Sequence, residues 1–255
     1  MSTFFEFELA NPCDVEDSLR QTLKGSNAVN NPVIIACLNP HSFVVAQRDV
    51  KFHQALSATS HLICDGFGLK LFGQIVSKKI CHRFTGPDLF DLAMGIGNEI
   101  GGVRVFFLGG SDATIHDILQ KAETDFPSLV CGGLAPPFRA SFSTDESAVM
   151  IQAIKDFNPD ILWVGMSAPK QEKWVEENRN YLKCRIVGSV GAVFDFYTDR
   201  VKRAPKLFRF LGCEWLWRSL VDPKRLGKRN LVSNPVFVWL VLKRVLVPIF
   251  NRQMK

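Results

Sequence analysis

The sequence HLICDGFGLKLFG, residues 61–73, shows the pattern from which the fold can be predicted. A short apolar run ends at Asp65, as a buried strand would, and Gly66 and Gly68 follow at once, as in a tight strand-to-helix turn. The stretch therefore predicts a strand followed by a helix. Asp65 itself has two interpretations: a helix N-cap, for which Asp is a favoured residue, or a functional carboxylate held at the end of a strand.

Strand and helix patterns alternate along the rest of the chain. Short apolar runs rich in branched residues indicate buried strands, and the longer stretches between them indicate helices. Strands are predicted at 3–9, 32–39, 60–64, 103–110, 128–133, 160–166 and 184–190, and helices at 15–23, 41–57, 68–76, 86–100, 111–126, 145–157 and 168–182. This alternation predicts an α/β fold with a largely parallel, Rossmann-like sheet and helices on both faces.

Several residues that follow predicted strands are suited to binding a ligand. Open α/β sheets bind ligands beyond the carboxyl ends of their strands, which places Asn39, Asp65, Gly109 and Gly165 at that edge. The Gly-Gly-Ser sequence starting at Gly109 offers backbone N–H groups at a helix N-terminus, an arrangement that holds phosphate without metal. A glycine pair after a strand is common, however, and the six-residue dinucleotide fingerprint is missing.

The stretch VGMSAPKQEKW, residues 164–174, places cations at the start of a predicted helix. Lys170 and Lys173 are unfavourable there because the N-terminal end of the helix dipole is positive. An anion such as a diphosphate would make them favourable. The alternative is a solvated helix start with no ligand.

The stretch RFTGPDLF, residues 83–90, sets Arg83 and Thr85 just before a helix that begins with a proline. The planar guanidinium of Arg83 suits phosphate or carboxylate. Alone, Arg83 is an ordinary loop arginine.

Charge is distributed unevenly along the chain. The net charge is +6, but residues 200–255 hold fourteen Lys or Arg against two Asp or Glu, while residues 1–199 hold seventeen against twenty-three. A basic C-terminal region on a mildly acidic body indicates a polyanionic partner: nucleic acid, an anionic membrane surface or a phosphorylated substrate. We therefore predict an α/β domain over 1–199 and a separate basic appendage over 200–255.

The appendage has an amphipathic character. Its apolar stretch 234–250 is interrupted by Lys243 and Arg244 and shortened by Pro248, whereas a bilayer-spanning helix needs roughly 20 apolar residues. The pattern favours a basic, helical, tryptophan-bearing segment at a membrane surface. The alternative is a C-terminal helix pair packed on the body, which would explain the apolar residues but not the charge.

The expected compartment is the cytoplasm. No N-terminal segment has the build of a signal peptide. The seven cysteines are scattered, odd in number and without a Cys-x-x-Cys pair, so reduced thiols are expected rather than disulfides or a zinc site.

Six segments, taken together and in order, resemble the motifs of the WecG/TagA/CpsF glycosyltransferase family. They are CLNPHSF, ICDGFGLK, RFTGPDLF, GMSAPKQEKW, GSVGAVFDF and RVKRAP…GCEWLWRSLVDPKRLGKR, and the resemblance as a whole spans roughly residues 5 to 230. The family builds bacterial surface polysaccharides. Its members move a sugar from a UDP donor to an undecaprenyl-diphosphate-linked sugar, and the known donors carry N-acetylmannosamine, its uronic acid or glucuronic acid.

The resemblance also implies a setting for the enzyme. It implies a fold that matches neither common glycosyltransferase fold and a peripheral position on the cytoplasmic face of the bacterial inner membrane. It implies no cofactor and no metal, with a UDP-sugar, the lipid-linked acceptor and the anionic membrane surface as partners, and no nucleic acid. Whether the protein forms a homo-oligomer is left open by the resemblance.

The resemblance assigns roles to individual residues. Asp65 corresponds to the general base, which takes the proton of the acceptor hydroxyl during transfer with inversion, while the glycines around it leave room for the sugar. Substrate binding is assigned to Asn39, Arg83, Thr85, Gly109, Gln171, Arg203, Arg218, Arg225 and Arg229. Cys37 and Ser167 stand where family members often have Thr and Gly, which leaves the sugar preference open.

Two other classes of function compete with this one. A non-catalytic module that binds a nucleotide sugar or nucleic acid would account for the basic appendage, although no helix-turn-helix or exposed aromatic sheet motif is recognisable. An NAD-dependent enzyme is disfavoured because the glycine fingerprint and its acidic partner are missing.

Overall fold

The protein was described from a computed structural model covering residues 2–4, 7–25, 31–77, 82–201, 204–205, 208, 216–217 and 227–253. Its centre is a sheet of six parallel strands, which confirms the predicted α/β class. The strands are β3 (Val33–Leu38), β4 (His61–Cys64), β5 (Arg104–Gly109), β6 (Val130–Leu134), β7 (Ile161–Gly165) and β8 (Ile186–Ser189), in the spatial order β4-β3-β8-β7-β5-β6.

The N-terminal strand predicted over 3–9 is instead a small antiparallel pair. Strand β1 (Ser2–Phe4) pairs with β2 (Phe7–Leu9), with Phe4 opposite Phe7. The single-strand prediction was wrong because alternation alone does not show where a chain reverses. The segment meets the main sheet just afterwards, where the Ala10 N–H donates to the Leu62 carbonyl over 2.9 Å.

Helices connect the strands on both sides of the sheet. They are α1 (Pro12–Lys24), α2 (Pro40–Ala46), α3 (Val50–Ser57), α4 (Phe67–Ser77), α5 (Gly86–Ile100), α6 (Asp112–Asp125), α7 (Thr144–Phe157), α8 (Lys170–Asn178), α9 (Val193–Tyr197) and α10 (Lys228–Gln253), with a 3₁₀ turn at Arg179–Tyr181. The single helix predicted over 41–57 is divided in two. Asp49 leaves the helical conformation and caps α3, its carboxylate accepting from the Phe52 N–H at 3.0 Å.

Successive strand residues face opposite layers of the core, as the two-residue period of a strand requires. Ile35 and Trp163 pack on one face with α1, α5, α6 and α9. Ala36 on the other face packs with α2, α3, α4 and α10, and Val164 packs there with α7 and α8. Both faces are therefore covered, which explains why the strands are almost uniformly apolar.

Helix α10 packs on the body through one of its faces. Ser233, Phe237 and Val241, spaced four residues apart, are buried. The Phe237 ring lies edge-on to Phe43 of α2 and Phe72 of α4, with centroids 5.8 and 5.7 Å away. This packing is what the alternative interpretation of the C-terminal region expected. The helix also continues past Pro248, where the apolar stretch was expected to be cut short.

The other face of α10 is exposed. It carries apolar side chains that contact no core cluster, namely Leu231, Val232, Val238, Trp239 and Leu242. Within the described residues, no helix combines the length and the apolar character that crossing a bilayer requires. Helix α10 thus has one apolar face packed on the body and a second apolar face that is exposed.

Candidate active site

The carboxyl ends of the six parallel strands form one edge of the sheet, and the residues predicted to bind ligands gather along it. Open α/β sheets bind ligands in a crevice at the carboxyl edge, beside neighbouring strands whose onward connections run to opposite sides. Strands β7 and β5 are such a pair here, because the chain leads from β7 to β8 and from β5 to β6. The turns after β7 and β5, and those after the nearby β8 and β3, are therefore expected to border the ligand crevice.

Asp65 is held at this edge by the backbone of the neighbouring strand. Cys64 is paired with Leu38 in the sheet, and the Asp65 N–H donates to the Leu38 carbonyl over 2.8 Å. Asn39 and Asp65 therefore follow paired residues and lie side by side at the ends of β3 and β4. The Asp65 side chain is half-buried.

The helix after Asp65 does not use it as the cap residue. Helix α4 begins at Phe67, and its first turn closes with the Lys70 N–H donating to the Gly66 carbonyl. The cap position therefore falls on Gly66, and Asp65 precedes it. Asp65 thus lies one residue ahead of the N-cap position of α4.

The glycines beside Asp65 make the turn possible and allow it to pack closely. Gly66 has φ +116°, a conformation that side chains rarely adopt. A Cβ atom on Gly68 would lie 3.2 Å from Pro40 and 3.5 Å from Phe237. The space that a side chain would occupy there is thus taken by Pro40 and α10, and not left for a sugar as the sequence suggested.

Asn39 caps helix α2. Its Oδ1 atom accepts from the Ser42 N–H over 2.9 Å, which fixes the plane of the side-chain amide at the edge of the sheet. Oδ1 can accept a second hydrogen bond and Nδ2 is a donor, so either atom of the amide could contact a hydroxyl.

The segment that carries Arg83 and Thr85 runs beside the end of β4. The Phe84 N–H donates to the Cys64 carbonyl over 2.9 Å, which brings the segment next to Asp65. Thr85 is buried, and its hydroxyl donates to Asp88 over 2.7 Å in a capping box at the start of α5. Thr85 therefore has a structural partner at the position for which substrate contact was predicted.

Cys37 lies at the same end of β3 and faces the start of α5. A Cβ atom on Gly86 would lie 3.5 Å from its sulfur. Burial, together with the negative charges of Asp65, Glu172 and Asp88, raises the pKa of the Cys37 thiol well above its usual value. The thiol is thus neutral at physiological pH and places no further charge beside Asp65.

Gly109 is required for close packing between two strands. A Cβ atom on Gly109 would overlap the carbonyl of Gly165, its partner in the sheet, and its φ of +139° is one that side chains rarely adopt. Helix α6 then begins with Ser111, whose hydroxyl accepts from the Thr114 N–H at 3.2 Å. The phosphate position predicted from the sequence is thus the N-terminus of α6, where the Ser111 hydroxyl already occupies the Thr114 N–H.

Gln171 is buried and joins two turns at the carboxyl edge. Its Oε1 atom accepts from the Met166 N–H at 3.2 Å and from the Gly191 N–H at 3.1 Å. Its Nε2 atom donates to Glu172 over 2.8 Å. The sequence assigned Gln171 to substrate binding, and the structure gives its amide partners within the protein.

The two lysines at the start of α8 also have partners within the protein. Lys170 donates to the Arg139 carbonyl over 2.8 Å and lies over the Phe142 ring. Lys173 forms an ion pair with Asp49. These contacts explain the cations at this helix terminus without a bound diphosphate.

Two features at the carboxyl edge were missed by sequence reasoning. Phe138, in the loop after β6, is fully exposed, and its apolar ring offers a flat stacking surface. Glu172 is almost fully buried, although it lies in the same stretch as the cations Lys170 and Lys173. A Pro-Pro-Phe sequence in a predicted loop could have drawn attention to Phe138, whereas no local signal indicates the burial of Glu172.

The arginines assigned to the C-terminal region are not tested by the structure. Arg203, Arg218 and Arg225 lie outside the described residues. Arg229 belongs to α10, but its side chain also lies outside the described part. Over the described stretches of the chain, no group of three or more His, Cys, Asp or Glu side chains is arranged to hold a metal ion.

Comparison with known proteins identifies similar sequences. Residues 4–249 match the model of the glycosyl transferase WecG/TagA/CpsF family. A protein of Staphylococcus aureus strain NCTC 8325, named N-acetylglucosaminyldiphosphoundecaprenol N-acetyl-beta-D-mannosaminyltransferase, is 27% identical over 218 residues, which are 86% of this chain and 83% of that protein. The protein of the same name from strain MRSA252 is 26% identical over 218 residues, which are again 86% of this chain and 83% of that protein.

Proposed function

The chain belongs to the WecG/TagA/CpsF glycosyltransferase family, and we propose that it transfers a sugar from a UDP-sugar to an undecaprenyl-diphosphate-linked sugar with inversion of configuration. The relatives' names specify an N-acetylmannosaminyl group and a GlcNAc-diphosphate-undecaprenol acceptor. We propose the same class of acceptor here, and a donor sugar of the N-acetylmannosamine, N-acetylmannosaminuronic acid or glucuronic acid type. Family membership disfavours a non-catalytic binding module and an NAD-dependent enzyme.

The observation that carries this proposal is the placement of Asp65 beside Asn39 at the ends of adjacent strands. In the proposed reaction the acceptor hydroxyl oxygen attacks the anomeric carbon, and the bond from that carbon to the β-phosphate oxygen breaks. UDP leaves with the bonding electrons, and the hydroxyl proton passes to Asp65. A carboxylate fixed by the backbone of the next strand suits this role because its position does not depend on a flexible loop.

The negative charge that builds on the departing UDP needs stabilisation. Arg83, beside the end of β4, and the N–H groups at the start of α6 are the described groups suited to it. We propose that the arginines of the C-terminal region add to this charge stabilisation, and that no metal ion is needed.

The acceptor lipid requires the enzyme to work at a membrane. The exposed apolar face of α10 and the positive charge of residues 200–255 together suit the anionic cytoplasmic surface of the bacterial inner membrane. Since α10 contacts α2 and α4, which follow Asn39 and Asp65, this surface would bring the lipid-linked sugar close to the proposed base.

The proposed function is tested by incubating the full chain with a panel of UDP-sugars and a short-chain GlcNAc-diphosphate lipid, followed by mass spectrometry. We expect one donor to add a single sugar residue to the lipid, with unchanged rates after chelation of divalent metals. No transfer from any donor would refute the proposed acceptor. A product in which NMR shows the transferred sugar with the same anomeric configuration as in the donor would refute inversion.

A further inference from the structure

Glu172 is a buried acid for which the proposed reaction provides no role. It lies in the first turn of α8 and is 4% exposed. Its side chain lines a small cavity between the sheet, α3 and α8, together with Ile34, Ala36, Ala55, Thr59, Val175, Glu176 and Ser189. Burying a carboxyl group is costly unless its atoms are hydrogen-bonded, so its presence requires an explanation.

The hydrogen bonds around Glu172 link it to two turns of the candidate site. Its Oε1 atom accepts from Gln171 Nε2 over 2.8 Å. The other atom of that amide, Gln171 Oε1, accepts from the N–H groups of Met166 and Gly191. The first of these residues follows β7 and the second follows β8, so a single side chain joins the turns after two adjacent strands.

The orientation of the Gln171 amide is favoured by the groups on both of its sides, and Glu172 supplies one of them. An amide can rotate by 180° and exchange its oxygen and nitrogen, and the exchanged form would point two N–H donors at the donors of Met166 and Gly191. An acceptor on the opposite side, Glu172 Oε1, favours the orientation in which the amide oxygen faces both backbone N–H groups. An apolar residue at position 172 would leave the amide nitrogen without this partner.

We propose that Glu172 is a positioning residue for the transfer reaction, which holds Gln171 so that it fixes the turns after β7 and β8 relative to each other. The inference rests on the proposed function, since those two turns border the crevice in which the donor is proposed to bind. Glu172 itself is not expected to touch either substrate.

The protonation of Glu172 is compatible with this role. Burial raises the pKa of its carboxyl group to about 7, while the hydrogen bond from Gln171 opposes the increase. Cys37 on β3 interacts electrostatically with Glu172, Glu176 on its own helix lines the same cavity, and the α3 and β8 walls contribute the uncharged Ala55 and Ser189. Oε1 accepts a hydrogen bond in either protonation state, so the link persists on both sides of neutral pH.

The proposal is tested with three variants of the full chain. Glu172→Leu fills the cavity but removes the acceptor, and Glu172→Gln keeps an acceptor at the same place. Ser189→Ala is the matched control, because its hydroxyl lines the same cavity and has no hydrogen-bond partner within the described residues. Amide hydrogen exchange at Met166 and Gly191 is measured by NMR, alongside kcat and KM for transfer.

We expect Glu172→Leu to raise exchange at both amides by about five- to tenfold, the effect of losing a supporting hydrogen bond, and to lower kcat/KM. Glu172→Gln should restore both values, and Ser189→Ala should change neither. Exchange at wild-type rates in Glu172→Leu, or equal increases in Ser189→Ala, would overturn the proposal. If the wild type transfers no sugar, the proposed function fails, while the exchange data still decide whether Glu172 positions Gln171.

Discussion

The backbone N–H of Asp65 donates to the carbonyl oxygen of Leu38 across two neighbouring parallel strands. This bond places a carboxylate directly beside Asn39, the residue that follows Leu38. The backbone position of Asp65 is thus determined by the sheet register. A general base benefits from such rigidity because proton transfer requires the base within hydrogen-bond distance of the acceptor hydroxyl.

Replacing Asp65 should stop transfer without unfolding the protein. We expect Asp65→Asn to lower kcat by about 10²- to 10⁴-fold, the usual contribution of a general base. Asp145→Asn is the matched control, since Asp145 is an exposed carboxylate in the first turn of α7, on the same edge of the sheet, and has no role in the proposed site. Initial rates with the lipid acceptor and circular dichroism of each variant provide the measurement. Full activity of Asp65→Asn would remove Asp65 as the base.

Thr85 should matter for stability more than for substrate binding. Its hydroxyl donates to Asp88 and accepts from the Asp88 N–H, so Thr85→Ala should lower the free energy of unfolding by about 1 kcal/mol. Thr85→Ser should recover most of that loss. Ser143→Ala removes the equivalent capping box of α7 and should cost a similar amount. A rise in KM for Thr85→Ala without any loss of stability in urea unfolding would instead support the substrate-binding role.

Ser167 occupies a conformation that favours glycine. Its φ is +70°, which costs a residue with a side chain about 1–2 kcal/mol, while glycine adds an entropic cost of about 0.5–1 kcal/mol on folding. We therefore expect Ser167→Gly to raise the free energy of unfolding by about 0.5–1 kcal/mol. Ser167→Ala keeps the strain and should give no such gain. Urea unfolding of the two variants decides the matter, and a loss of stability in Ser167→Gly would contradict the expectation.

The alternation of strands and helices was predictable because it depends on local periodicity. The six parallel strands and both helical layers follow from the apolar runs and the stretches between them. The break between α2 and α3 was missed because Asp49 lies within a continuous amphipathic pattern, and only its capping of α3 shows where one helix ends. Pro248 shortens the apolar stretch without ending the helix, because a long helix can continue through a proline at the cost of a hydrogen bond.

The candidate site was predictable only in part. Asp65 and Asn39 could be placed at the carboxyl edge because each directly follows a strand. The packing of Gly68 against Phe237 joins residues far apart in the sequence, so no local pattern indicates it. The burial of Gln171 and Glu172 depends on how α8 lies against β3 and β8, and the sequence around them is that of an exposed helix start.

Stability should fall with rising pH because of Glu172. The pKa of its carboxyl group is about 7 in the folded protein against an ordinary value of 4.5, so the folded state retains a proton that the unfolded state loses. The contribution of Glu172 to stability is therefore highest below pH 4.5, declines by roughly 3 kcal/mol up to pH 7, and is constant above that. Glu172→Gln abolishes this decline.

We thus expect Glu172→Gln to be more stable relative to the wild type at pH 8 than at pH 5, as measured by urea unfolding at both values. Glu146→Gln is the matched control. A backbone hydrogen bond from Ser143 lowers the pKa of Glu146, so the contribution of Glu146 to stability is fully present above pH 4.5. The stability lost in Glu146→Gln should therefore be similar at pH 5 and pH 8. A difference between Glu172→Gln and the wild type that does not change with pH would show that Glu172 is not a buried, protonated acid.

The two faces of α10 should have separable effects. Phe237 is buried against Phe43 and Phe72, whereas Trp239 and Leu242 are exposed. Inserting the Trp239 and Leu242 side chains into a lipid interface would contribute about 1.5–3 kcal/mol for each residue if fully buried. We expect Trp239→Glu and Leu242→Glu each to weaken binding to anionic vesicles at least tenfold in flotation assays, with little change in thermal stability.

Phe237→Ala should instead lower the melting temperature, since it leaves a cavity between helices. Vesicle binding unchanged by both glutamate substitutions would refute α10 as the membrane contact, and binding that persists at high salt would show that the basic residues contribute little to it.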